Sequence, residues 1–213
     1  MRRSLCGGLL VAALVALTAS QSAAQETGTP IFKAPYRAFK SHEFGASVSD
    51  PGSGVSFALE GFYSYGSGNN DFSVRGGIAD IADQTVNGVN VGGGTRVLLG
   101  GDFRTNILRY SESIPVDGAL TLGIGANIGD GTDQYLIPVG ISLGRRFELE
   151  DSKTSFTPYV HPVIVPTFGG GDDAINFALG LGVDMRFSQS WAVRVSGGVG
   201  DLDGVGISLA YIR

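Results

Sequence analysis

Side chains able to do acid–base chemistry are few in this chain. The two histidines are His42 and His161. Alternation along a proline-rich segment places His161 on the same face as Thr157 and Tyr159. A catalytic base would need an aspartate or serine within hydrogen-bond reach, and no sequence motif indicates one. We interpret His161 as a structural histidine and predict no catalytic residue; a barrel enzyme acting on lipid is the alternative.

Charged side chains recur at strand positions that alternate with bulky apolar ones. They carry both signs, so they can form ion pairs with one another if they share an enclosed face. We predict that such a face lines a lumen. The predicted lumen charge network consists of Glu60, Arg75, Arg96, Asp102, Arg104, Asp184, Arg186 and Arg194.

Sites for cofactors and metals are not indicated. The glycine runs at 92–94 and 169–171 are not followed by Gly-Lys-Ser/Thr or by a helical pattern, so they do not read as phosphate loops. The aspartate-rich turns lack the spacing of an EF-hand loop. We therefore predict no cofactor and no metal ligand.

The elements that would position these residues are β-strands. From Ile175 to Phe187 every second residue is bulky and apolar, and the residues between are small or charged. Similar runs are separated by turn sequences such as Asp50-Pro51-Gly52. We predict an all-β, antiparallel, up-and-down barrel of ten strands, or eight because the first is weak. The predicted strands are 43–49, 54–65, 71–81, 94–106, 117–128, 134–149, 154–168, 174–188, 190–200 and 203–213.

Three prolines interrupt the pattern of the segment 154–168. Pro158, Pro162 and Pro166 each lack the amide hydrogen that a sheet ladder uses. We expect this strand, and the neighbourhood of Pro138, to be bulged or locally unpaired.

The first residues have the features of an export signal. Arg2 and Arg3 precede an apolar stretch, and Ser22-Ala23-Ala24 offers a cleavage site. We predict a signal peptide at 1–24, an N-terminal periplasmic tail or plug at 25–42 and a barrel at 43–213. The only cysteine, Cys6, lies in the signal, so disulfides would not stabilise the mature protein.

The choice between a membrane barrel and a soluble one depends on which face looks outward. A soluble barrel needs its charged face outside, yet lysines occur only at Lys33, Lys40 and Lys153. Aromatic residues should form a girdle at lipid headgroups. The predicted periplasmic-side girdle is Tyr63, Tyr65, Phe72, Phe147, Phe156, Phe187, Trp191 and Tyr211.

The C-terminal segment resembles the small single-domain bacterial outer-membrane β-barrel family. The resemblance rests on the glycine-rich strands of 174–213, the Gly-Asp-Leu-Asp-Gly hairpin at 200–204 and the terminal alternation from Val205 to Tyr211. It implies location in the cell outer membrane, contact with membrane lipid and lipopolysaccharide, and delivery by periplasmic chaperones to barrel-assembly machinery. Arg213 occupies the last position, where the family usually has Phe or Trp.

The fold alone leaves several functions open. The formal net charge of −5 argues against nucleic acid as a partner. A barrel this small has a narrow interior that side chains can fill. We therefore expect a non-enzymatic barrel with a filled lumen and a structural or surface-interaction role. The alternatives are a narrow channel for small solutes, the lipid-acting barrel enzyme and a soluble lipid-binding barrel.

Overall fold

The structure, a computed structural model, describes residues 32–35, 41–50, 55–81, 84–86, 89–91, 93–129, 133–150, 152–170 and 173–213. The predicted signal peptide lies outside these residues. The strands are β1 (His42–Asp50), β2 (Val55–Ser67), β3 (Asn70–Ile81), β4 (Gln84–Val86), β5 (Val89–Val91), β6 (Thr95–Leu108), β7 (Asp117–Gly129), β8 (Gln134–Leu136), β9 (Val139–Gly144), β10 (Phe147–Glu148), β11 (Ser155–Gly169), β12 (Ala174–Arg186), β13 (Trp191–Gly200) and β14 (Gly204–Ile212).

The main sheet closes into an antiparallel barrel. Its strands follow one another around the wall, with β8, β9 and β10 together forming one position between β7 and β11. The first strand, β1, pairs with the last, β14, along eight residues of each. Two backbone hydrogen bonds between His42 and Arg213, of 2.9 and 2.8 Å, bring both ends of the barrel chain to one rim. The prediction of a ten-stranded up-and-down barrel is confirmed.

The two faces of the wall differ as the alternation predicts. Leu99, Leu122 and Ile124 point away from the barrel axis and are about half exposed or more. Leu98 and Arg104 point inward and are buried. The bulky apolar side chains therefore cover the outside of the barrel, and charged and small side chains line the inside.

The proline-rich strand is continuous on one side and, as expected, locally unpaired on the other. Strand β11 pairs with β12 over thirteen consecutive residues without a break. The carbonyls of Pro158 and Pro166 face the other neighbour, since they accept hydrogen bonds from Arg145 (3.4 Å) and Ile137 (2.9 Å). In an antiparallel strand the amide and carbonyl of one residue point the same way. All three missing donors, at positions 158, 162 and 166, therefore face β8, β9 and β10.

The interruption lies where β11 faces β8, β9 and β10. Pairing between β9 and β11 skips Ser142 and Ile141, which lie opposite His161 and Pro162. The strand predicted at 134–149 is divided at 137–138 and at 145–146, opposite Pro166 and Pro158. The expectation of an interruption near Pro138 is confirmed.

A short hairpin, β4 with β5, lies in the connection between β3 and β6 and was not predicted. Each strand has only three residues, too few for alternation to be recognised. The sequence between the two strands is Asn87-Gly88, which is a strong hairpin signal.

No helix among the described residues is long and apolar enough to cross a bilayer.

Candidate functional site: the barrel lumen

A four-residue segment of the N-terminal region, Phe32 to Pro35, lies inside the barrel. We call it the lumen segment. Lys33 donates hydrogen bonds from Nζ to both carboxylate oxygens of Asp102, each at 2.5 Å, and to Ser73 Oγ at 3.2 Å. The carbonyl of Lys33 accepts from Ser142 Oγ, and that of Ala34 from Arg104 Nη1. The lumen segment is thus held through both its backbone and its charge.

The ring of Phe32 occupies a recess that only glycines could line. A Cβ placed on Gly180 would lie 2.1 Å from Phe32 Cδ1, and one on Gly198 would lie 2.6 Å from Phe32 Cε2. The carbonyl of Phe32 accepts a hydrogen bond from Tyr159 Oη at 3.2 Å. Two of the many glycines in β12 and β13 therefore have a specific function, which is to admit this ring.

An arginine held by two carboxylates lies next to the lumen segment. Arg194 binds Glu43 through two parallel hydrogen bonds, of 2.5 and 2.8 Å, and its Nε donates to Asp184 at 2.7 Å. The planar guanidinium matches a carboxylate in this bidentate geometry, which is the strongest common form of ion pair. These contacts tie β13 to β1 and β12 from inside the barrel.

Two further ion pairs complete the charged part of the lumen. Arg104 pairs with Asp71 at 3.3 Å, and Arg75 pairs with Asp102 at 3.4 Å. All four side chains are less than a tenth exposed. Burying a charge costs several kcal/mol, as an order of magnitude, unless a partner compensates it. The opposite charges therefore depend on one another.

The charged side chains and the lumen segment enclose a cavity of about 80 Å³. Serines from several strands, including Ser64 and Ser196, complete its lining. Another part of the interior holds a buried apolar cluster, in which Leu136, Val163, Val165 and Leu202 pack with Phe32. The lumen thus contains both a polar cavity and packed apolar side chains.

His161 is buried in this interior, and both of its ring nitrogens have hydrogen-bond partners. Its Nδ1 accepts the backbone N–H of Lys33 at 3.1 Å, so the proton of the neutral ring is on Nε2, which lies 2.8 Å from Thr121 Oγ1. A protonated Nε2 cannot take a proton from the threonine. Among the described residues no group of three or more His, Cys, Asp or Glu side chains could hold a metal ion.

The structure separates the eight residues of the predicted charge network. Six line the polar cavity: Glu60, Arg75, Asp102, Arg104, Asp184 and Arg194. Two lie near strand ends, where Arg96 donates to the carbonyl of Asn127 and Arg186 to that of Gln189, each at 3.4 Å. Arg96 and Arg186 do not line this cavity, and their membership of the lumen charge network stays a prediction.

Three charged members of the cavity, Lys33, Glu43 and Asp71, were not predicted. Asp71 has the same strand parity as Arg75, and Glu43 the same parity as Ser47 and Ser49, so alternation could have found both. Lys33 lies in the region 25–42, which we predicted to be a periplasmic tail or plug, but without periodicity the sequence did not indicate which of its residues would contact the lumen charges.

Aromatic side chains ring the outside at the rim that carries the chain ends. Trp191 contacts Tyr211, Phe147 stacks on Phe156 and Phe72 contacts Phe103, with ring centroids 4.9 to 5.2 Å apart. Tyr63, Tyr65 and Phe187 lie at the same end of their strands. Phe44 and Phe103 also belong here and were not predicted.

Outward aromatic side chains also occur at the other rim. A second set, Phe57, Tyr135, Phe168 and Phe177, is exposed towards the opposite rim. Two aromatic bands with aliphatic side chains between them are typical of a barrel that crosses a bilayer, because aromatic rings favour both headgroup regions.

Comparison with solved structures agrees with this geometry. The β domain of the Bordetella autotransporter BrkA is similar to this chain with a TM-score of 0.50 and 14% identity, covering 82% of this chain and 99% of that one. The chain has the fold of an outer-membrane β-barrel. Its apolar outer surface agrees with the outer-membrane location predicted from the sequence.

Two other matches to this outer-membrane barrel have lower TM-scores. A de novo designed transmembrane β-barrel matches at 0.39 with 16% identity, covering 83% of this chain and 98% of that one. The N-terminal β-barrel domain of Pseudomonas aeruginosa OprF matches at 0.35 with 11% identity, covering 83% and 100%. No protein-family model and no curated protein matches the sequence.

Proposed function

We propose that this protein is a non-enzymatic outer-membrane barrel with a closed lumen and a structural or surface-interaction role. The observation that carries the proposal is the lumen segment. It places Phe32 and Lys33 across the bore, where they join the apolar cluster and the ion pairs into one packed interior. A pore needs a continuous water path, and the Lys33–Asp102 and Arg75–Asp102 ion pairs lie within the bore.

The tautomer of His161 supports the non-enzymatic part of the proposal. Its two ring nitrogens are both engaged, with a backbone amide and with Thr121. Expression of the protein should therefore leave the mass spectrum of lipid A and phospholipids unchanged. A new lipid species that disappears in a His161→Gln variant would favour the lipid-acting enzyme.

Planar-bilayer recording tests the closed lumen directly. We expect the purified protein to give no steady, reproducible openings, while heat-modifiable gel migration shows that the barrel is folded and inserted. Regular openings from the folded protein would favour the narrow channel, with the polar cavity as part of its path. Recovery of folded protein in buffer without detergent would favour a soluble lipid-binding barrel.

We also propose the partners that the resemblance implies. The apolar outer face requires membrane lipid as its solvent, and lipopolysaccharide would meet the rim opposite the chain ends. Periplasmic chaperones and barrel-assembly machinery would deliver the chain. Depletion of that machinery should leave the protein out of the heat-modifiable pool.

A further inference from the structure

An exposed arginine is held between aromatic rings at the rim that carries the chain ends. The Arg145 guanidinium carbon lies 4.4 Å from the ring centroid of Tyr110 and 5.0 Å from that of Phe147. Its Nη2 donates a hydrogen bond to Tyr110 Oη at 3.1 Å. Contacts of a guanidinium with ring faces are attractive, so this side chain has a defined orientation although it is exposed.

The aromatic partners are themselves held in place. Phe147 stacks on Phe156 with centroids 5.2 Å apart and 17° between the ring planes. The loop that carries Tyr110 is anchored by a hydrogen bond of 2.9 Å from its backbone N–H to Asp117 Oδ1. Both rings remain exposed, and Phe147 belongs to the aromatic band at this rim. Such bands lie at the level of lipid headgroups.

The charge of Arg145 is not balanced within the described part of the chain. No carboxylate among the described residues forms an ion pair with it, whereas the adjacent Arg146 pairs with Glu148 at 3.1 Å. A guanidinium has five N–H donors, and the tyrosine accepts from one nitrogen. Among the described residues, no other group accepts a hydrogen bond from the remaining donors of Arg145.

We propose that Arg145, supported by Tyr110 and Phe147, forms a binding site for the phosphodiester of a phospholipid headgroup. The site rests on the proposed membrane function, since it needs a bilayer at this rim. Arginine presents two parallel donors to a phosphate, and the rings fix the plane of those donors before the lipid arrives. The partner is a phospholipid because the chain ends are predicted to face the periplasm, where the leaflet is built of phospholipid.

Lipid retention in native mass spectrometry tests the site. The full-length protein is purified in detergent and mixed with phosphatidylglycerol or with a phosphate-free galactosyl diacylglycerol. We expect the protein to retain phosphatidylglycerol, and Arg145→Gln to lower its affinity about tenfold, as for loss of one charge-assisted hydrogen bond. Arg145→Lys should recover only part of the binding, because lysine keeps the charge and loses the planar pair of donors.

Arg146→Gln is the matched control, since it removes an adjacent arginine whose charge Glu148 already balances. It should leave phosphatidylglycerol binding unchanged. Heat-modifiable migration establishes that each variant is folded. Equal binding by wild type and Arg145→Gln, an equal loss for the galactolipid, or full recovery by lysine would overturn the site. Arg145-dependent preference for lipid A would overturn the phospholipid assignment. Conductance plays no part here, so a conducting wild type would contradict the closed lumen alone.

Discussion

Individual side chains in the lumen depend on one another because each charge is buried with its partner. Asp102 is the clearest case, since it forms ion pairs with both Lys33 and Arg75. Its removal would leave both cations without this carboxylate. Removing one member of a buried pair is much more destabilising than removing an exposed one. The lumen charges are therefore expected to matter for stability whatever the function of the barrel.

The first prediction concerns Asp102. Asp102→Asn should lower the free energy of unfolding by about 3–5 kcal/mol, because the buried Arg75 and the partly buried Lys33 lose their carboxylate. Glu148→Gln, which breaks an exposed pair, should cost less than about 1 kcal/mol. Urea unfolding from lipid vesicles, followed by the fluorescence of the single tryptophan, Trp191, measures both. Equal effects of the two substitutions would contradict the buried network.

A second residue-scale prediction concerns the recess for Phe32. Gly180→Ala should cost about 1–3 kcal/mol, because its Cβ would overlap the Phe32 ring and force it to move. Combining it with Phe32→Ala should cost clearly less than the sum of the single substitutions. Gly61→Ala is the control, since the nearest atom to its Cβ is 3.9 Å away. Additive effects would show that Phe32 is not in this recess.

Among the strands, β11 is continuous while the neighbouring wall position, formed by β8, β9 and β10, is interrupted. Every missing proline donor in β11 faces the same side, so the whole deficit falls on β8, β9 and β10. The local loss of pairing predicted for segment 154–168 and for the neighbourhood of Pro138 therefore lies between β11 and β9. Proline content marks a missing donor, but only the parity of its position tells which neighbour loses the hydrogen bond.

The corresponding prediction concerns Pro162, which faces outward opposite Ile141. Pro162→Val should supply an amide donor to the backbone carbonyl of Ile141 and stabilise the barrel by about 0.5–1.5 kcal/mol. Val also suits a lipid-facing strand position. Amide hydrogen exchange should report a slowly exchanging proton at position 162 in the variant. A lower stability in urea unfolding, with no protected amide, would show that the break has another cause.

Much of the element scale was predictable because one rule governs it. Strands such as β7 and β12 alternate without interruption, so their bounds were placed within two residues. The hairpin of β4 and β5 was not predictable by that rule, since three residues cannot establish a period. The lumen segment also lacks a period, because its backbone bonds to side chains of the wall and not to a strand partner.

At the scale of the whole molecule the barrel is apolar outside, and its charged strand residues point inside. The site followed the same logic: parity predicted that Asp184 and Arg194 share a face, and they are in contact at 2.7 Å. Parity could not predict which charges would meet, because that depends on the stagger of neighbouring strands. Arg96 and Arg186 share the inward parity and still lie near opposite ends.

The outer surface gives the fourth prediction. Ile124 lies in the middle of β7 and is 63% exposed on the outer face. Ile124→Arg should lower the stability in lipid vesicles by about 2–4 kcal/mol, the cost of a cation at the bilayer midplane. Ile114→Arg, in the loop at the rim, should cost about 0–1 kcal/mol. Similar costs at both positions would contradict a bilayer around this belt.

The seam between β1 and β14 has a consequence for biogenesis. Every other wall contact joins strands that are near in sequence, but this one joins the first strand to the last. Until the C-terminal residues have left the export channel, β1 has no partner on that side and exposes a row of unsatisfied amides. We therefore expect that the strands do not insert one at a time from the N terminus. A chain truncated before β14 should remain bound to chaperones or be degraded.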